Sequence, residues 1–63
     1  MAFKIDDKVY HVVLDDDYRI VATKDLPYKG NKVPDGYDYL IILIGEGFKP
    51  FIPCHEEHLE PRN

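Results

Sequence analysis

The sequence predicts an all-β fold: a five-stranded, strongly bent antiparallel barrel with one 3₁₀ turn near the C-terminus. Three observations predict it. Tyr37–Ile44, Y-D-Y-L-I-I-L-I, contains an unbroken apolar run from Leu40 to Ile44, bounded by Pro34-Asp35-Gly36 and Gly45-Glu46-Gly47. Short isoleucine- and aromatic-rich runs between turn residues are strands buried on both faces, here the central one. The remaining apolar stretches are equally short and rich in β-branched residues, as strands are. Finally, His55–His58 is too short for a stable α-helix and fits a single 3₁₀ turn.

The elements follow in order. Phe3–Lys8 opens with alternating apolar and polar residues and a turn at Asp6-Asp7. Val9–Leu14, V-Y-H-V-V-L, is the first full strand, with Tyr10, Val12 and Leu14 on one face and Val9, His11 and Val13 on the other. Asp15-Asp16-Asp17 is too charged for a sheet interior and forms the hairpin tip. Tyr18–Lys24, Y-R-I-V-A-T-K, is the second strand. Asp25–Gly36 is the longest connection, and a loop of about a dozen residues in so small a domain is more often functional than accidental. After the central strand come a tight hairpin at Gly45–Gly47 and a fourth strand, Phe48–Ile52. Pro50 donates no ladder hydrogen bond and places that strand at an edge or bulge. Pro53 ends it, and Leu59-Glu60 is a last short strand stopped by Pro61.

Sixty-three residues are read as one domain, 1–63, near the lower size limit for independent folding. Such a chain buries only about 60% of its unfolded surface, so a disulfide, a metal or oligomerisation is the usual aid. One cysteine excludes an internal disulfide and suits a reducing compartment. The longest apolar run is five residues, too short to span a membrane, and Met1–Asp7 lacks the pattern of a signal peptide. The expectation is a soluble, cytoplasmic protein with no membrane partner. Eight Lys and Arg against twelve Asp and Glu give a net charge of −4, which disfavours generic nucleic-acid binding.

In layout the chain resembles the Src-homology-3-like small barrels, the group that includes Tudor-type and KOW-type domains. F-K-I-D-D-K-V-Y, Phe3–Tyr10, is similar to the "apolar-x-x-G-D-x-V" opening of these barrels, with Asp6 where they usually carry glycine. The hairpin at Gly45–Gly47 matches their distal hairpin. F-I-P-C-H-E-E-H-L-E-P, Phe51–Pro61, resembles their final strand, 3₁₀ turn and last short strand. The likeness implies a fold and no particular activity. A proline-peptide groove does not carry over, because the first loop is three aspartates and there is no tryptophan. Tyr10, Tyr18, Tyr28, Tyr37 and Tyr39 are numerous enough for a Tudor-type cage.

Several stretches bear on chemistry. Cys54, His55 and His58 are metal-ligand types, and two histidines three apart share one side of a helical turn. A structural zinc site needs four ligands, and His11 is the only other candidate; the competing reading is a buried cysteine followed by a polar turn. Cys54 beside a histidine is also the pairing of a cysteine nucleophile, but a small barrel offers little volume for a cleft. The absence of serine removes the serine triad, and no phosphate-binding glycine loop exists. Asp15–Asp17 lacks calcium-loop spacing and reads as a solvated turn. Lys24, Lys29 and Lys32 with Tyr28 form the one locally basic segment, able to contact nucleic-acid backbone and bases.

Only one face of the central strand can line a small core. If Ile41 and Leu43 with Tyr39 face outward, they form an apolar patch of the kind that marks interaction sites. The expected function is therefore a non-catalytic protein-interaction domain without cofactor, binding an unknown protein or itself as a homodimer. Its contacts would be Tyr28, Tyr37, Tyr39, Ile41 and Leu43, with Lys29 and Lys32 giving polar specificity. The alternative is a nucleic-acid-associated barrel for RNA or a ribonucleoprotein, and a third reading is metal binding at Cys54, His55 and His58.

Overall fold

Alternating apolar residues form five strands in the computed structural model, which describes residues 2–45 and 50–62. They are β1 Lys8–His11, β2 Asp16–Thr23, β3 Tyr39–Leu43, β4 Phe51–Cys54 and β5 Leu59–Pro61, with a 3₁₀ turn at Glu56–His58 before β5. All pairings are antiparallel, in the order β4-β3-β2-β1-β5, and the central apolar strand pairs on both sides as expected. β4 and β5 are the two outer strands, so the sheet is open and not closed into a barrel. Among the described residues no helix is long and apolar enough to cross a membrane.

The first hairpin differs from its expected form. β1 stops at His11, and Val12–Leu14 leave the sheet as a turn in which the Asp15 amide donates to the His11 carbonyl at 2.8 Å. Asp15 closes the turn in the left-handed region at φ 56°, which a short polar side chain tolerates. Asp16 and Asp17 therefore belong to β2, opposite His11 and Tyr10, and Val13 at the tip is 65% exposed. β4 also differs. It contains Pro53, whereas Pro50 precedes it; the expected Gly45–Gly47 hairpin and Phe48 start fall largely on 46–49, outside the described residues.

Both outer strands carry a proline on the side away from their neighbour. The Cys54 carbonyl accepts from the Asp38 amide, so strand alternation turns Pro53 to the free edge. The Arg62 amide donates to the Lys8 carbonyl and Val12 to the His58 carbonyl, which turns Pro61 outward in the same way. Each free edge thus lacks a donor where another strand would need one.

Register assigns the faces. Directly opposed residues share a face, so Val9, His11, Tyr18, Ile20, Tyr39, Ile41, Cys54 and Leu59 all point inward. Together with Phe3 most of them form the core, and Leu43 and Ile52 pack against it. A bulge between Ile20 and Ala22 shifts the β2–β3 register and puts Ala22 opposite Leu40 on the outer face. The N-terminal arm returns across the bulge, with the Asp6 amide donating to the Ile20 carbonyl at 2.8 Å and Ile20 to Asp7 at 3.0 Å. Phe3 then meets the Tyr39 ring edge-on at 5.9 Å.

Candidate functional site

Loop 24–37 is built from local turns. Tyr28 and Asn31 exchange backbone hydrogen bonds at 2.9 and 2.8 Å around Lys29 and Gly30, both at positive φ (49° and 80°). Two successive positive-φ residues make a type I′ turn, the two-residue hairpin connection. The Asn31 side-chain amide further donates to the Tyr28 and Lys29 carbonyls. A second turn is closed by the Tyr37 amide donating to the Pro34 carbonyl, with Gly36 at φ 89° in the position that requires glycine.

These turns set two tyrosines against rings at either end of β4. Tyr28 meets Phe51 edge-on at 6.0 Å, with the Lys29 ammonium 5.3 Å over the Tyr28 ring. Tyr37 stacks on His55 at 4.8 Å and 21°. Within the loop itself, Lys24, Lys32, Val33, Pro34, Asp35 and Tyr37 line a depression of about 340 Å³. Lys24 and Lys32 both line it, Lys24 paired with Asp38 at 3.2 Å, while Lys29 lies over the Tyr28 ring.

Asp38 ties this surface to the 3₁₀ turn. Its second carboxylate oxygen accepts the Glu56 amide at 2.8 Å; that bond, and after it Lys24, holds the carboxyl below its ordinary range. Next to it the Tyr39 hydroxyl accepts the Phe3 amide at 2.9 Å and donates to the Glu56 carboxylate at 2.7 Å. Burial, chiefly, raises the Tyr39 pKa.

Two expected contact residues are corrected. Tyr39 is 6% exposed and Ile41 fully buried, both in the inner core; their face of β3 meets Ile20, Ile52 and Cys54 rather than solvent. Leu43 on the same face is partly buried. The outward set is Leu40, Ile42 and Ile44, of which Leu40 is also buried, at 2% exposure. Of the expected contacts, Tyr28, Lys29, Lys32 and Tyr37 lie on the loop surface; the two lysines are exposed and the two tyrosines half-buried.

The cysteine and histidines part company. Cys54 points into the core, 2% exposed, and burial pushes its thiol up to about 12, with Asp38 adding to the shift. His55 turns instead to Tyr37. Among the described residues no three His, Cys, Asp or Glu side chains are grouped to hold a metal ion. The imidazoles do form a chain of ring contacts: His55 to His58 at 5.5 Å, His58 to His11 at 5.5 Å, and His11 to Tyr18 at 6.1 Å. His11 is buried, and its Nδ1 accepts the Leu14 amide at 3.1 Å. No spacing in the sequence announces this chain, because it depends on β5 lying beside β1.

The aspartates of the first hairpin take three separate partners. The Tyr10 hydroxyl donates to Asp15, Asp16 accepts the Asp17 amide, and Asp17 pairs with Arg62 at 2.9 Å. Their carboxylates serve the turn and its flanks and do not converge. No protein-family model, curated protein or solved structure matches the chain.

Proposed function

We propose that the chain is a small non-catalytic interaction domain that docks a protein, a second copy of itself included, on the surface of loop 24–37. The observation that carries this reading is the anchoring of Tyr28 on Phe51 and of Tyr37 on His55. Ordering a loop costs roughly 1–2 kcal/mol of backbone entropy per residue, and a plain connection does not need it. The anchors hold Lys29, Lys32 and the rim of the depression in fixed positions while leaving them accessible. Cys54, inaccessible and protonated at neutral pH, is unsuited to nucleophilic work.

A Src-homology-3-like layout, with its sheet open between β4 and β5, is supported by the strand order, by the 3₁₀ turn between the last two strands, and by Asp6. That residue stands where such barrels carry glycine and adopts φ 73°. One free, buried thiol supports a reducing compartment such as the cytoplasm.

Light scattering from low to high micromolar concentration tests self-docking. A dimer that becomes monomeric in the Tyr28→Ala/Tyr37→Ala double variant supports it, and a monomer throughout removes the second copy as partner. Amide spectra of labelled chain in lysate of the source organism then test other proteins. Shifts confined to 24–37 support the reading; no change there sinks it.

A further inference from the structure

One line of directly opposed residues crosses the outer face of the sheet: Phe51 on β4, Ile42 on β3, Arg19 on β2 and Lys8 on β1. Arg62 continues it, its amide bonded to the Lys8 carbonyl at 3.0 Å. At the other end Tyr28 packs on Phe51 and carries Lys29 over its ring. Lys8, Arg19, Lys29 and Arg62, four of the eight Lys and Arg in an acidic chain, thus share one strip with two aromatic rings. Asp17, paired with Arg62, and Glu60, opposite Tyr10, flank the cationic end.

Lys8 and Arg19 face each other with Cβ atoms about 5 Å apart, the spacing of a cross-strand pair. Neither side chain has an ion-pair or hydrogen-bond partner among the described residues. Like charges in that arrangement repel, and an anion lying between them removes the repulsion.

We propose that this strip binds single-stranded nucleic acid, with phosphates at Arg19, Lys8 and Arg62 and bases stacked on Phe51 and Tyr28. The edges decide against an acidic peptide as occupant. Pro53 and Pro61 remove a ladder donor at either free edge and disfavour strand addition, and a peptide lying across the face gains no backbone ladder with the sheet. A nucleic-acid strand needs no such ladder, since its backbone is anionic and every base offers a π face. The strip shares Tyr28, Lys29 and Phe51 with the loop surface but adds Lys8, Arg19 and Arg62 and leaves out Lys32 and Tyr37, so the Arg19 variant and the salt slope test it apart from protein docking.

The test is fluorescence anisotropy of the full chain with labelled U20 and dT20 at 50 and 200 mM salt. Neutralising about three phosphates predicts a slope near −2 in log affinity against log salt, or roughly 20-fold weaker binding at the higher salt. Arg19→Glu should cut affinity at least tenfold while keeping the urea midpoint, because the new carboxylate faces Lys8. Lys4→Glu, with the same charge change off the strip, should leave affinity within twofold. Phe51→Ala should weaken binding without altering the salt slope. Either order of U20 and dT20 supports the site, and their ratio assigns RNA or DNA. No binding at 50 mM salt, equal losses in the Arg19 and Lys4 variants, or displacement by polyglutamate at equal charge would each overturn the proposal.

Discussion

The two faces of β3 begin as equals. Tyr39, Ile41 and Leu43 alternate with Leu40, Ile42 and Ile44, and neither set is plainly more apolar. The inner set meets Ile20, Cys54 and Ile52 across the strands, with Val9 and Leu59 filling the same core. The outer set meets Ala22, Pro53, Arg19 and Phe51; it is buried at Leu40 and opens to 38% exposure at Ile44. An apolar run therefore specifies that a strand is central, while its neighbours decide which face is the core.

The largest expected effect breaks or upholds that contrast directly. Ile41→Ala should destabilise by about 2–5 kcal/mol, the range for truncating a fully buried aliphatic side chain. Ile42→Ala, one residue away on the half-buried outer face, should cost about 1 kcal/mol or less. Urea unfolding of both variants checks this, and equal losses would mean the faces have been wrongly distinguished.

Cys54 probes the inner face without mutation. Buried, with its thiol pushed up to about 12, it should resist a thiol reagent at pH 7.5 until urea unfolds the chain. Fast labelling of folded protein would place it outside the core and reopen the nucleophile reading.

Much of this architecture was legible in the sequence. The strand sequence, the 3₁₀ turn and the centrality of the Leu40–Ile44 run, whose last residue lies just past β3, follow from local apolar patterns and turn residues. The facing of β3 was not legible, because alternation is symmetric and only register breaks the symmetry. Val12–Leu14 read as strand because they are apolar and β-branched, yet the positive φ of Asp15 and the bond from the Leu14 amide to His11 take them into a turn. Of the loop residues, Tyr28, Lys29, Lys32 and Tyr37 were identifiable from composition. Their ring partners, Phe51 and His55, lie about twenty residues away and required the fold.

His11 sharpens the contrast from within, as the one buried residue classed as polar or charged among the described residues. Burial first, and the charge of His58 second, lower its pKa below the ordinary 6.5. Asp16 opposes it across the strands, and the Tyr18 ring lies edge-on. An unfolded chain takes up a proton near pH 6.5 that the folded chain resists. Stability should therefore be full above that pH and fall as pH drops through the folded value. Asp38, whose pKa is lowered from 3.8, acts in a separate window, its contribution lost only below about pH 4. The urea midpoint should decline from pH 7 to 5, and decline less in His11→Gln. An equal decline in both would assign the effect elsewhere.

The smallest effect concerns the two left-handed aspartates that bracket β1. Asp6 at φ 73° and Asp15 at φ 56° carry the same strain, about 1 kcal/mol for a non-glycine residue in that region. They differ in what the side chain returns. Asp15 accepts the Tyr10 hydroxyl, whereas the Asp6 carboxylate has no hydrogen-bond partner among the described residues. Asp6→Gly removes the strain and loses nothing in the folded state, though glycine adds some entropy to the unfolded chain. It should raise stability by up to about 1 kcal/mol. Asp15→Gly gives up the hydrogen bond from the Tyr10 hydroxyl along with the strain, and should gain nothing or lose stability. Opposite shifts in the two urea midpoints would locate the difference in the side chains. Parallel shifts would mean that backbone strain alone governs both turns.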